Sequence, residues 1–317
     1  MEEKIDLRSK IRGAIAGFAF GEALGYGTEF MTRREANTYY PGGLRQFDQI
    51  IRDAHRSQRK RGEPGNETRM LVSLSKCILS EGRFDIHILA RRFKQWLETA
   101  ESDLPSILPV ICNTPGWEEH PVTVAHKVWQ ERNITEASNE ALPRGIFSAI
   151  MSSEQDMTEH TRKLVLMTND DSRCLATTLM IATMSSKLLY CDRAATFDEL
   201  ARIGNRVDSR TLHFLERAYE NDIESLKIDD EDTQCWTRKS MAAGLWGFLH
   251  GKDAADCIYR VIDLGGDSDN NASIAGALAG MKYGFDALPE EKTKMSGLDE
   301  LLELADQITD YIEKRGA

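Results

Sequence analysis

Two aspartates at a glycine turn are the residues of this sequence with the clearest potential for chemistry. The stretch LGGDSDNNASIAGALAG, residues 264–280, places Asp267 and Asp269 two positions apart, after two glycines and before a run of small apolar residues. Hard oxygen donors at this density are typical of sites for Mg²⁺ or Ca²⁺. A glycine C-cap followed by an aspartate N-cap explains only one of the two acids. We therefore predict that both aspartates bind a cation at the start of a buried helix.

A second glycine-rich segment, residues 11–30, carries two more carboxylates. Its many small residues predict a helix that packs very close to its neighbours, and Glu22 lies within that helix. A buried carboxylate must be paired, hydrogen-bonded or bound to a cation. Capping of a helix or pairing with an arginine explains Glu22 as well as a functional role does. Glu29 follows two helix-breaking glycines, and we expect it on a loop that faces a cleft.

Other polar segments precede apolar helical stretches. PGNETRM, residues 64–70, contains Asn66 and Thr68, and helix N-capping by either residue is the simplest explanation of this segment taken alone. NEALPRG (139–145) and TNDDSRC (168–174) are similar. The acid-rich DDEDTQCW (229–236) has no glycine and no small-residue helix after it. We interpret it as a solvated acidic turn and helix start.

The elements that must position these residues are helices. In residues 69–82 the apolar side chains recur at helical spacing, with Gly82 as a stop, and Asp85 is the expected N-cap of the next helix. Residues 161–170, 175–190 and 296–314 continue the pattern, whereas alternating strand patterns bounded by tight turns are missing. With no internal repeat and no shift in composition, the sequence predicts an all-α, compact many-helix bundle in one domain, residues 1–317.

Composition excludes several classes of partner. The formal net charge of -11 argues against a nucleic-acid surface and against an anionic membrane surface. The charged N-terminal segment has no signal-peptide core, and no apolar run approaches the roughly 18 residues of a membrane span. The six scattered cysteines are expected to be reduced, and the histidines lack zinc-ligand spacing. We predict a cytoplasmic protein that binds neither nucleic acid nor a membrane.

One stretch has the composition of a linker. RDAHRSQRKRGEPGNE, residues 52–67, is dense in arginine, lysine, glycine and proline. Charge runs are usually solvated, so we predict an exposed mobile loop here. Contact between its positive charges and an anionic ligand is the alternative.

Taken in order, the polar segments resemble the ADP-ribosylglycohydrolase family, which includes the dinitrogenase-reductase-activating glycohydrolases. That family typically shows G-D-A-L-G…E-F, T-D-D-T-x-M, N-G-x-x-x-R, T-H and G-G-D-T-D-T-x-A-x-I-A-G-A-L-x-G. The last motif is the most specific, and the set spans residues 11–284, nearly the whole chain. The corresponding segments here are residues 21–25 with 29–30, then 65–70, 139–144, 168–169 and 265–280.

The resemblance implies a compact all-α single domain with two magnesium ions at its centre, and hydrolysis of the bond between ADP-ribose and a modified side chain, often arginine. The implied partner is an ADP-ribosylated protein or an ADP-ribose-like small molecule. The implied cofactor is Mg²⁺, as one or two ions, with Mn²⁺ as a possible replacement. The implied metal ligands are Asn66, Glu67, Thr68, Asp267, Asp269 and Asn270, the catalytic residues are Glu29, Glu67 and Asp269, and the substrate-binding residues are Glu22, Asn139, Arg144 and Asn169.

The chain departs from the family pattern in its first metal-binding segment. Gly65 and Asn66 stand where the family has threonine and aspartate, and Glu67 has a longer side chain than the second aspartate. Asn270 replaces a threonine in the last motif. Magnesium affinity depends strongly on the number of charged ligands. These changes predict one firmly bound ion or two loosely bound ions.

Two further departures concern the substrate. Glu140 stands at a family glycine beside the ligand, where a carboxylate would repel a pyrophosphate, and Asn169 replaces the histidine of the T-H pair. Three hypotheses follow: a magnesium-dependent glycosidic hydrolase, a hydrolase with a changed substrate, and a weakened or inactive member that acts as a ligand- or protein-binding regulator. A lysine or arginine reaching into a dry site would contradict both catalytic hypotheses.

Overall fold

The computed structural model describes residues 5–100 and 107–316, and this part of the chain contains helices and no β-strand. The all-α prediction is confirmed. Four short 3₁₀ helices cover Phe47–Gln49, Ser209–Thr211, Glu224–Leu226 and Glu290–Lys294. The α-helices are α1 Leu7–Gly25, α2 Arg33–Tyr39, α3 Asn66–Glu81, α4 Ile86–Leu97, α5 Ile107–Cys112, α6 Pro121–Arg132, α7 Pro143–Met151, α8 Met157–Leu166, α9 Ser172–Tyr190, α10 Phe197–Val207, α11 Leu212–Tyr219, α12 Thr237–His250, α13 Ala254–Ile262, α14 Ser268–Tyr283 and α15 Leu298–Gly316.

The helix signals around α3 and α4 act as predicted, with one exception. Gly82 ends α3 in the left-handed conformation, at a φ of 68°. Asp85 caps α4 by accepting hydrogen bonds from the amides at positions 87 and 88. However, the N-cap of α3 is Gly65, which has no side chain to cap with. The expectation that Asn66 or Thr68 caps this helix is therefore wrong.

Helices α1 and α14 form the centre of the fold, and their small residues make this possible. A Cβ on Gly13 would lie 2.8 Å from the carbonyl carbon of Gly280, and a Cβ on Gly21 would lie 2.5 Å from that of Ala272. The two backbones therefore touch directly along several turns. Every residue of α14 up to position 281 is buried. This close packing brings the polar ends of both helices together inside the protein.

The remaining helices enclose this central pair. Helices α12 and α13 pack against α14, and α15 packs against α1 and α3, while α7, α8 and α10 pack around α9. All six cysteines are free thiols, as their scattering predicts. Among the described residues, none of the helices combines the length and the apolar character that a membrane crossing requires.

Candidate functional site

The loop after α1 carries Glu29 and is fixed to the turn before α14. The Phe30 amide donates to the Gly266 carbonyl at 2.7 Å, and the Gly266 amide donates to the Met31 carbonyl at 2.8 Å. Gly266 has a φ of 68°, and a Cβ there would lie 2.6 Å from the Ile228 carbonyl oxygen, so only glycine fits this turn. These bonds bring Glu29, which is 5% exposed, to the N-terminus of α14.

Three carboxylates converge at this point. Glu29, Asp267 and Asp269 each offer one carboxylate oxygen, and these three oxygens lie within 4.8 Å of one another. All three residues are buried. Asp267 is the N-cap residue of α14, but its side chain caps no amide; its Oδ2 accepts a hydrogen bond from Asn139 Nδ2 at 2.6 Å. Asp269 Oδ1 accepts from the Asn270 amide at 2.7 Å. The fold therefore brings together acids that are more than 230 positions apart in the sequence.

Crowding and burial raise the pKa of each of these carboxyl groups. Burial raises the pKa of Glu29 to about 7, with the charge of Asp269 adding to the effect and the hydrogen bond to His55 opposing it. Burial likewise raises the pKa of Asp267 to about 6. Burial and the charge of Asp267 raise the pKa of Asp269 well above its usual range. Raised pKa values of this kind are typical of carboxylates whose negative charges are not fully compensated by positive charges nearby. A bound cation would supply that compensation.

Glu22 holds the start of α3 against this cluster. Its side chain is fully buried and accepts hydrogen bonds from the amides of Glu67 (3.0 Å) and Thr68 (3.2 Å) and from the Thr68 hydroxyl. Glu22 is thus the cap of α3, supplied by another helix. Burial raises the pKa of Glu67 above its usual range, and the charges of Glu22 and Asp269 add to this. Asn66 is buried beside them.

The charged segment 52–67 is folded onto the same loop. Arg56 is 5% exposed; its Nε donates to the Gly27 carbonyl at 2.8 Å, and its Nη2 donates to the Glu29 carbonyl. His55 Nε2 lies 2.7 Å from Glu29 Oε2. Arg59 is 3% exposed. The prediction of a solvated loop is wrong for Arg56 and Arg59, which are buried, and only partly right for His55, which is half-buried.

Arg59 reaches the start of α3. Its Cζ atom lies 4.3 Å from the centroid of the Tyr26 ring, and its guanidinium fills the space beside Gly65, where a Cβ would lie 2.5 Å from Nη1. Its positive charge lowers the pKa of Glu67 and Asp269, against the larger upward effect of burial. Sequence reasoning missed this residue, since nothing distinguishes it from the other cations of its segment.

Asn139 and Asn169 lie at different depths behind the carboxylates. Asn139 Nδ2 donates to the Ser240 hydroxyl and to Asp267, both at 2.6 Å, so it holds an acid in place. Asn169 Oδ1 accepts from the Thr168 hydroxyl at 2.7 Å. Neither asparagine exposes more than 4% of its surface. Both are therefore in position to orient other groups of the site.

Arg144 lies in the interior next to this corner. It exposes none of its surface, its Nη1 donates to the Leu164 carbonyl and to the Thr168 hydroxyl, both at 2.6 Å, and its Cζ lies 4.9 Å from the centroid of the Phe93 ring. Burial lowers the pKa of Arg144 to about 10, and the charge of Glu140 opposes this. The contacts of Arg144 run to the protein, so it supports the Thr168 corner.

The acid-rich segment 229–236 is only partly the solvated turn that its composition predicts. Glu231 and Asp232 are exposed, but Gln234 is buried and Cys235 is half-buried. Cys235 lies close enough to Asp267 to respond to its charge: burial raises the pKa of the Cys235 thiol above its usual range, and the charge of Asp267 adds to the effect. The end of the segment therefore borders the carboxylate cluster. Its acidic composition concealed this, because the contact depends on a neutral residue.

A comparison with protein families agrees with this geometry. The model of the ADP-ribosylglycohydrolase family matches residues 3–317. The chain belongs to the ADP-ribosylglycohydrolase family. The resemblance drawn from its motifs is confirmed.

Individual relatives of this family are distant but cover most of the chain. An ADP-ribosylarginine hydrolase, Tri1, of Pseudomonas putida is 23% identical over 313 residues, which is 95% of this chain and 78% of that protein. An ADP-ribosyl-dinitrogen reductase glycohydrolase of Rhodospirillum rubrum is 23% identical over 281 residues, 87% of this chain and 86% of that one. A solved ADP-ribosylglycohydrolase-related protein complex superposes with a TM-score of 0.71 at 20% identity, over 96% of this chain and 99% of that chain. The structural likeness confirms the fold.

Two departures from the family pattern contact each other in the structure. Asn169, which replaces the family histidine, donates from Nδ2 to Oε1 of Glu140, which replaces the family glycine, at 3.2 Å. Glu140 is 7% exposed, and its Oε2 has no hydrogen-bond partner among the described residues. The two replaced residues are thus hydrogen-bonded to each other through one carboxylate oxygen of Glu140. The other oxygen of Glu140 remains able to accept a hydrogen bond.

The carboxylate cluster is a candidate metal-binding site. Glu22, Glu29, Glu67, Asp267 and Asp269 place five carboxyl groups around this space, and the guanidinium of Arg59 balances one negative charge. Asn270 Oδ1 is buried and has no hydrogen-bond partner among the residues that the structure describes. A buried amide oxygen without a donor beside three carboxylates is a donor set that hard divalent cations prefer.

Proposed function

We propose that this family member hydrolyses the glycosidic bond between ADP-ribose and a protein side chain, with Mg²⁺ or Mn²⁺ as cofactor. The convergence of Glu29, Asp267 and Asp269 carries this proposal. The relatives from P. putida and R. rubrum are an ADP-ribosylarginine hydrolase and an ADP-ribosyl-dinitrogen reductase glycohydrolase, which supports ADP-ribosyl hydrolysis, with arginine as the modified residue in the first. We take residues 1–317 as one domain, which the span of the family match supports.

In the proposed site, Asp267, Asp269, Glu29 and Asn270 Oδ1 hold the ion. When bound, a divalent ion polarises the attacking water and the ribose hydroxyls. The carboxylate of Asp269 accepts the proton of that water as its oxygen bonds to the anomeric carbon. The bond from the anomeric carbon to the arginine nitrogen breaks, the departing nitrogen takes up one proton from solvent, and Asp269 releases to solvent the proton that it accepted from the water. Water and ADP-ribosylarginine thus give ADP-ribose and arginine.

The surrounding residues orient these groups. Asn139 fixes one oxygen of Asp267, and His55 fixes Glu29, which is placed to position water or to gate the entry of substrate. Glu67 and Thr68 at the start of α3 are held by Glu22. Asn169 is placed to contact the substrate beside Glu140, and Arg144 supports that corner from behind.

A binding protein without catalysis is the second candidate, and Arg59 is the observation that favours it. A guanidinium beside the start of α3 reduces the charge available to a metal ion. However, one positive charge cannot compensate three converging carboxylates, whose pKa values burial and their mutual repulsion already raise. An uncompensated buried charge of that size is costly, so we expect a cation to bind and place hydrolysis first.

The direct test is release of ADP-ribose from ADP-ribosylarginine with Mg²⁺, with Mn²⁺ and with a chelator. We expect metal-dependent release that Asp269→Asn reduces by at least about 100-fold, since it removes a ligand and the proton acceptor. Asp232→Asn is the matched control, because Asp232 is exposed on the acidic turn. Release that survives Asp269→Asn would contradict the site assignment. Tight binding of ADP-ribose without any release would favour the binding protein.

A further inference from the structure

Arg59 stands out among the buried groups because it is a cation next to a site built from acids. Its guanidinium lies against Gly65, at the start of α3, and over the ring of Tyr26, at the end of α1. We propose that the Arg59 guanidinium is a built-in cation in the half of the site next to Glu67, so that the site binds one divalent ion instead of two. The inference rests on the proposed function only for the presence of that ion.

The side chains divide the site into two unequal halves. On one side, Glu29, Asp267 and Asp269 supply three mutually close carboxylate oxygens. On the other side, Gly65 offers no side-chain donor, and Asn66 offers a neutral amide. The space that a side chain at position 65 would take is filled by the guanidinium of Arg59. The half next to α3 therefore contains the positive charge of Arg59 beside Glu67, and the other acid there, Glu22, accepts hydrogen bonds from the amides of Glu67 and Thr68.

The chemistry of arginine suits this place. A guanidinium remains charged at any pH that the fold survives, and its planar donors match carboxylate oxygens. The charge of Arg59 lowers the pKa of Glu29, Glu67 and Asp269 together, so it acts on both halves of the cluster. It therefore compensates acids of the site much as a metal ion would. A second divalent ion in the same half would be repelled by it.

Hydrogen bonds of neighbouring residues hold Arg59 beside Gly65. The Arg59 carbonyl accepts a hydrogen bond from Arg52 Nη1 at 2.9 Å. The ring of Tyr26 lies under the Arg59 guanidinium, and its hydroxyl donates to the His55 carbonyl at 2.5 Å. Arg56, three residues earlier, is anchored to the Glu29 loop. Arg59, at 3% exposed, is therefore held by a segment that is itself anchored by the residues before it.

The test counts metal ions on the full chain. Mn²⁺ is titrated into metal-free protein by calorimetry, and the bound ions are examined by electron paramagnetic resonance, which distinguishes an isolated ion from a coupled pair. We expect one Mn²⁺ per chain and the signal of an isolated ion. Arg59→Met removes the charge and keeps an unbranched side chain, and it should raise the count to two. Arg59→Lys should keep the count at one.

Lys60→Met is the matched control, because Lys60 is the exposed neighbouring cation and its loss should leave the count at one. Two ions bound to the wild-type chain would overturn the inference. One ion in both the wild type and Arg59→Met would overturn it as well, because the missing second ion would then not depend on Arg59. If Arg59→Met does not fold, the Mn²⁺ affinity of the Glu67→Gln variant tests the inference instead. We expect this affinity to stay within about threefold of that of the wild type. A tenfold loss of affinity would overturn the inference.

The result is separable from the proposed function. Two bound ions together with release of ADP-ribose would remove the inference and leave the proposed function standing. One bound ion that becomes two in Arg59→Met, without any release of ADP-ribose, would remove the proposed function and leave the inference. A chain that binds no Mn²⁺ would overturn the inference, whatever the activity assay shows.

Discussion

Gly17 and Gly276 touch backbone to backbone where α1 crosses α14. A Cβ on Gly17 would lie 2.8 Å from the Gly276 carbonyl carbon, and a Cβ on Gly276 would lie 2.8 Å from that of Gly17. Protein interiors do not tolerate such overlap without movement. Because α1 leads to Glu29 and α14 begins next to Asp267, this contact sets how close the acids of the site can come.

We expect Gly17→Ala to destabilise the protein even though alanine is the better helix former. Alanine gains about 1 kcal/mol over glycine within a helix. Here its methyl group must push two backbones apart, and overpacking of this kind costs about 3 kcal/mol. The net loss of about 2 kcal/mol should appear in urea unfolding monitored by circular dichroism.

Gly42→Ala is the control for this substitution. Gly42 is exposed, and a Cβ there meets nothing within 4 Å. Its free energy of unfolding should stay within about 0.5 kcal/mol of wild type. An equal effect of the two substitutions would show that the crossing of α1 and α14 can relax, and that the closeness of the helices is not what holds the site.

Glu22→Ala should destabilise the start of α3. Three donors, the amides of Glu67 and Thr68 and the Thr68 hydroxyl, lose their acceptor. Buried donors left without a partner cost about 1–3 kcal/mol each, so we expect a total loss of about 3 kcal/mol in urea unfolding. Glu22→Gln keeps one acceptor oxygen and should lose less than half as much. If the two variants are equally stable, the capping role is wrong.

Glu140 and Arg144 should be energetically coupled. Arg144 exposes no surface, and the charge of Glu140 opposes the lowering of the Arg144 pKa by burial, which brings it to about 10. Arg144→Met and Glu140→Gln each leave a buried charge with less compensation, at a cost of about 3 kcal/mol. The double variant removes both charges and should lose about 1–2 kcal/mol less than the sum.

Urea unfolding of the wild type, both single variants and the double variant measures this coupling. A coupling free energy below about 0.5 kcal/mol would mean that the two sites act independently. In that case the hydrogen bonds of Arg144 to Leu164 and Thr168 would account for its burial without Glu140.

The sequence predicted those parts of the site that are encoded locally. The spacing of Asp267 and Asp269 beside two glycines singled out two acids that the fold brings together with Glu29, and the small residues of α1 and α14 predicted helices that pack very close. Gly82 and Asp85 marked the ends of neighbouring helices because caps depend on a few adjacent residues. These signals need no knowledge of the tertiary fold.

The parts that were missed depend on contacts between distant segments. Glu22 caps a helix that begins more than 40 positions later, so no local capping motif shows it. The charges of Arg56 and Arg59 predict exposure, yet both are buried because the Glu29 loop offers carbonyls and acids to them. Cys235 is hidden in an acidic run, and only the fold places its thiol beside Asp267. Charge composition alone cannot distinguish a solvated cation from one that is matched inside the protein.

Asp208 should make stability depend on pH at low pH. Its carboxylate is nearly buried and accepts hydrogen bonds from the Ser172 hydroxyl at 2.6 Å and from the Nε and Nη2 atoms of Arg210 at 2.9 and 2.5 Å. The hydrogen bonds from Arg210 are the main reason that the pKa of Asp208 is lowered to about 2. In the unfolded chain an aspartate has a pKa of about 3.9. The unfolded state therefore binds the proton more readily than the folded state does.

The stabilisation by Asp208 is complete above the unfolded-state pKa and is lost as the pH falls through about 2. Because Arg210 is more than half exposed, we expect Asp208→Asn to cost only about 1 kcal/mol at pH of about 6. The difference in the free energy of unfolding between the wild type and Asp208→Asn should become smaller below a pH of about 4 and approach zero near a pH of about 2. Urea titrations across this pH range measure the difference.

Asp232→Asn is the control, because Asp232 is an exposed aspartate, and its difference from the wild type should not change with pH in this way. A difference that stays constant down to a pH of about 2 would mean that protonation of Asp208 does not weaken its contacts, and that the negative charge of its carboxylate does not stabilise the fold.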